Sequence, residues 1–270
     1  MPSRRCYGTC VALIAGCLAC PASAHADWDL TIFLGRAFPT FDERLVLRPS
    51  IPSLPEVDVS VDRLPELRTD GGPVFGAALA VEAGVIGIEG RVDATDVGFR
   101  FTGARYELRA TAPPFQGLAG SVELGDGRFD VERLYLLSLN LRLRTPGPIG
   151  LVASGGLSYL PEVSISGTVP TSIQITGVPS LPILAPPLQL TAAPDESSHR
   201  FGVNGGAGLR IGGDRIALMA EARVFYFREY ELRFGAGGAP AVIDDLLSSI
   251  DPVGFEPVIV NAQAGLVIRF

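Results

Sequence analysis

The sequence predicts an all-β fold, an eight-stranded antiparallel up-and-down transmembrane β-barrel with four long outer loops and three short turns at the opposite end. Three observations predict it. Apolar and polar residues alternate with period two over eight segments, the repeat of a strand with two unlike faces. The connections alternate strictly between tight turns and stretches of roughly 30 to 40 residues, far longer than loops inside compact domains. The chain is also apolar, with 47% hydrophobic residues and a mean hydropathy of +0.32. Yet no uncharged apolar run of about 18 residues, as a spanning helix requires, follows residue 20. A membrane admits only helices and closed barrels, so a membrane chain without such a helix must close a sheet.

The chain opens on residues 1–26, which read as an export signal. Arg4 and Arg5 form a positive start, Cys6 to Cys20 an apolar stretch, and Ala24-His25-Ala26 a cleavage site of small residues. A second reading stands beside it: Ile14-Ala15-Gly16-Cys17 resembles a lipoprotein box that would leave Cys17 lipidated. Cleavage after Ala26 removes all 4 cysteines and leaves residues 27–270 as the barrel domain. That domain forgoes disulfides although it is exported.

The strands follow in order. Residues 27–37 place Trp28, Leu30, Ile32 and Leu34 opposite Asp29 and Thr31. Residues 74–83 place Phe75, Ala77, Leu79 and Val81 opposite Glu82, and 85–95 place Ile86, Ile88 and Val92 opposite Glu89, Arg91 and Asp93. Residues 131–144 set Tyr135, Leu137, Leu139, Leu141 and Leu143 against Ser138, Asn140 and Arg142. Residues 149–160, 200–211 and 215–228 repeat the pattern, the last with Glu221 and Arg223 on its polar face. Residues 258–270 close the series, every even position being apolar. Tight turns are expected near Gly84, at Thr145-Pro146-Gly147-Pro148 and at Gly212-Gly213-Asp214. A water-soluble sandwich or lipocalin-like barrel would show the same alternation with its faces reversed.

If the apolar faces meet lipid, the polar faces fill the lumen. They carry Asp29, Glu82, Glu89, Arg91, Asp93, Glu132, Arg142, Arg200, Arg210, Glu221, Arg223 and Arg269. An eight-stranded barrel is just wide enough for its side chains to fill, and buried charges must pair. A salt-bridged, plugged lumen is therefore expected; the alternative is a narrow conduit for small or hydrophobic solutes. Arg36, Arg133 and Arg228 have lipid-face parity near the long-loop ends of their strands. There they either snorkel at the rim or meet lipopolysaccharide phosphates, which a guanidinium binds bidentately.

The terminal strand ends Leu266-Val267-Ile268-Arg269-Phe270. With the export signal and the eight alternating strands, the chain resembles the small outer-membrane β-barrel proteins of Gram-negative bacteria, the OmpA-like and OmpW-like class. The resemblance spans the whole of residues 27–270 in architecture. It implies residence in the cell outer membrane, contact with its lipid and lipopolysaccharide, short periplasmic turns, and Phe270 as the signal read by the barrel-assembly machinery. It says little about function.

Other classes are excluded or weakly supported. An acidic pI of about 4.9 does not suit a nucleic-acid binder, and the apolar content does not suit disorder. No cofactor is expected, since phosphate loops and dinucleotide fingerprints are missing. No metal site is expected either, because residues 27–270 hold one histidine, His199, and no cysteine. His199 follows Asp195-Glu196-Ser197-Ser198, so a lipid-modifying enzyme using it is the least favoured reading. The 161–198 stretch is rich in Val, Ile and Leu, and Pro-Ser-Leu-Pro occurs at 52–55 and 179–182. Alternation at 163–169 and 104–111 suggests strands that continue above the membrane. Such loops either pack on each other or offer a surface to an apolar ligand or partner protein. Asp244 to Ile250 is expected as a short helix. The favoured function is a noncatalytic structural or surface-contact role.

Overall fold

The computed structural model describes residues 27–40, 42–44, 56–113, 116–131, 133–161, 165–176, 182–183, 188–194, 200–237, 253–255 and 258–270. Residues 1–26, Glu132, His199 and Asp244 to Ile250 lie outside them, as do 52–55 and 179–181. Every regular element among the described residues is a strand.

Eight long strands form a closed antiparallel barrel: β1 (Asp27–Pro39), β5 (Pro73–Ala83), β6 (Ile86–Thr95), β11 (Leu134–Arg144), β12 (Ile149–Leu160), β17 (Arg200–Gly212), β18 (Ile216–Phe227) and β21 (Val258–Arg269). Their order is β1-β21-β18-β17-β12-β11-β6-β5, so each strand lies beside its chain neighbours and β21 returns to β1. The seam is sealed at the chain ends, where the Trp28 amide donates to the Phe270 carbonyl at 3.1 Å and the Phe270 amide donates back at 3.0 Å. Tight turns join β5 to β6, β11 to β12 and β17 to β18, where the sequence places them. Gly84 and Gly147 supply their left-handed positions, with φ of 68° and 111°.

The register fixes the shape. The perpendicular path from Ala217 runs through Val267, Thr31, Ala78, Arg91, Ser138, Ser158 and Gly202. It re-enters β18 at Phe227, ten residues above its start. With eight strands this stagger tilts them by roughly 40° and sets a backbone radius of about 8 Å. Twelve-residue strands at this tilt span about 30 Å, the thickness of a bilayer's hydrocarbon core.

The four long connections are largely strand as well. A second eight-stranded sheet continues the wall in the order β2 (Asp42–Arg44), β4 (Glu66–Asp70), β7 (Gly98–Thr102), β10 (Gly127–Val131), β13 (Ile165–Val169), β16 (Leu188–Pro194), β19 (Tyr230–Gly237), β20 (Val253–Phe255). Above it, a five-stranded sheet runs β15 (Pro182–Ile183), β14 (Thr171–Thr176), β9 (Ala119–Leu124), β8 (Ala104–Ala110), β3 (Val57–Arg63). Segments 104–110 and 165–169 are two of these strands, as their alternation suggests. Only Gly103 separates β7 from β8, and only Pro170 separates β13 from β14. At the first corner a Cβ on residue 103 would sit 2.2 Å from the Leu124 carbonyl oxygen, so glycine is required there.

The chemistry of the two faces swaps between the long barrel and the sheets above it. Along 86–102 the inward positions stay odd-numbered. They change from Glu89, Arg91 and Asp93 to Val97, Phe99 and Phe101, all buried. The outward positions change from Ile88 and Val92, both exposed, to the exposed Arg100. The lower barrel is thus apolar outside and charged inside, whereas the upper part has an apolar core and a polar exterior. That core joins Phe99, Phe101, Tyr106 and Phe129 to Leu136, Leu160, Phe225 and Phe227 at the top of the long strands.

Candidate functional site: the charged lumen

The inward polar faces of the long strands converge in one network. Asp29, Glu82, Glu89, Arg91, Asp93, Arg142, Arg210, Glu221 and Arg223 are all buried. Two ion pairs cross the full width. Arg91 on β6 reaches Glu221 on β18 at 3.1 Å, and Arg223 on β18 reaches Glu89 on β6 at 3.2 Å. These strands are four apart in a ring of eight, hence diametrically opposed. Each crossing arginine is also held from its own strand, Arg91 by Asp93 at 2.7 Å and Arg223 by Glu221 at 2.6 Å.

Neutral side chains tie this crossbar to the remaining wall. Asn140 donates to Glu89 at 3.0 Å, and Asn204 donates to Asn140 and Ser158, both at 2.8 Å. Arg223 also donates to Asn204 and Ser154. The Arg91 guanidinium stacks 4.0 Å from the Phe33 ring centroid. A desolvated contact of this kind is worth about 2 kcal/mol.

A second cluster occupies the turn end. Arg269 binds Asp29 at 2.7 Å and Glu82 at 2.8 Å, and approaches Asp27 at 3.4 Å. Arg144 binds Glu82 at 2.8 Å. Arg142 sits between Glu82, Glu89 and Asp29 at 3.4, 3.7 and 3.8 Å. It links the two clusters into one ionic chain. Arg144 is a member that the strand reading passed over, although it shares the parity of Asn140 and Arg142. Arg210 is buried on β17 and donates to the Gly213 carbonyl at 3.3 Å, with no carboxylate within 4.0 Å among the described residues. Arg200 heads the same strand opposite Leu160 and is half-buried.

The outer wall carries its own pattern. Ile32, Leu34, Ile88, Leu139, Leu141, Leu151, Leu157, Leu209 and Leu218 are exposed around its circumference. Near its upper edge aromatic rings gather: Phe38, Phe75, Tyr135 and Tyr226, with Tyr159 and Phe201 in contact at 5.2 Å. Arg36 and Arg133 lie over two of them, Phe38 at 5.9 Å and Phe75 at 5.2 Å. Arg133 also binds Asp96 at 3.0 Å, and this hydrogen bond raises its pKa above the usual arginine value. Arg36 donates to the Gly71 carbonyl at 3.5 Å, and Arg228 is exposed just beyond β18. Phe270 is exposed beside Trp28 at the opposite end. In the upper core, burial pushes the Tyr106 phenol well above its ordinary range. Among the described residues no group of three or more His, Cys, Asp or Glu side chains could hold a metal ion.

In comparison with known proteins, no family model matches the chain, and no curated protein matches it.

Proposed function

We propose that this chain is an integral outer-membrane β-barrel protein, exported through a signal peptide cleaved after Ala26, with a noncatalytic structural or surface-contact role. The observation that carries the reading is the inverted lower barrel: leucines and isoleucines cover its outside while arginines and carboxylates fill its inside. In water such a wall would leave a contiguous apolar band far larger than soluble monomers expose. In lipid the same band is stabilising. The aromatic ring at its upper edge and the polar exterior above that edge fit the girdle of a membrane barrel at an interface. Phe270 then serves the barrel-assembly machinery. Arg36 and Arg228, with Arg133 shared by Asp96, face the lipopolysaccharide phosphates. The upper sheets stand outside the cell, where any apolar ligand or protein partner would be met.

Wall-to-wall ion pairs favour a plugged lumen over a narrow channel. Above them the apolar core that includes Phe225 and Phe227 adds a second seal. The test is fractionation with gel mobility before and after boiling. The protein is expected in the outer-membrane fraction, soluble only with detergent, and migrating differently once boiled. A chain that stays folded in plain buffer with one mobility overturns the reading. Planar-bilayer recordings are expected to show a closed baseline; steady conductance would restore the channel.

A further inference from the structure

We draw no further inference here: the strongest candidate, the row of exposed alanines Ala153, Ala207, Ala222 and Ala262 that crosses the outer wall over β12, β17, β18 and β21, is a face of small residues with nothing in the structure to show what covers it.

Discussion

Replacing Arg223 with Met tests whether the crossbar holds the barrel together. The side chain is fully buried and has four partners: Glu221 at 2.6 Å, Glu89 at 3.2 Å, Asn204 and Ser154. Methionine fills much of the volume but removes the charge. Glu89 would keep Asn140 at 3.0 Å and Arg142 at 3.7 Å, and Glu221 would keep Arg91 at 3.1 Å. Neither carboxylate is stranded, so the loss should fall at the low end of the range for breaking a buried pair, about 3 kcal/mol. Glu221→Gln should cost about 3 kcal/mol on the same grounds. The double variant should cost well under the sum, because each single change already dissolves the shared contact. A coupling of about 2 kcal/mol is expected. The assay is reversible urea unfolding in lipid vesicles, followed by the fluorescence of Trp28, the chain's single tryptophan. Additivity within about 0.5 kcal/mol, or an Arg223→Met variant as stable as the parent, would refute a coupled network.

Three further outcomes follow from the same geometry. Leu139→Arg, near mid-height on the outer wall, should cost roughly 2–4 kcal/mol in a bilayer, whereas Ile86→Arg at the turn end should cost about 0–1; equal costs in vesicle unfolding would contradict a lipid-facing wall. Tyr106 favours its neutral form when folded, so its contribution is complete below the ordinary tyrosine pKa of about 10 and is lost as pH rises beyond that. Proteolysis of the upper sheets should therefore accelerate as pH rises above about 10, and Tyr106→Phe should remove most of that acceleration. Gly35→Ala would bring a Cβ to 2.1 Å from the Ala262 carbonyl oxygen and 2.6 Å from Gln263 Cα, whereas Gly90→Ala meets nothing within 4 Å. The first should prevent a compact unboiled gel band and the second should leave it unchanged.

The eight long strands were legible because their repeat runs for ten or more residues. The segment at 149–160 coincides with β12, and 215–228 overshoots β18 by one residue at each end. The start read at 131 instead splits into β10, ending at Val131, and β11, beginning at Leu134. Alternation cannot see that break, since the apolar side changes hands there. The upper sheets were only glimpsed, because five- to seven-residue strands around Gly103 and Pro170 are too short for a periodic signal. Polarity of the lumen residues was readable from parity, which also marks Arg144. Their partners were not. Arg91 meets Glu221 across 130 positions of sequence, and the ten-residue stagger that brings them level exists only once the sheet has closed.

If the barrel sits in a membrane as proposed, the exchange of face chemistry along 86–102 gives the molecule a waterline. Below it the outer surface rejects water, and above it the outer surface rejects lipid. The depth of immersion is therefore written into the strands and is not left to the bilayer. A membrane of the wrong thickness would have to stretch or thin around this protein, which makes acyl-chain length a lever on its stability that no substitution is needed to pull.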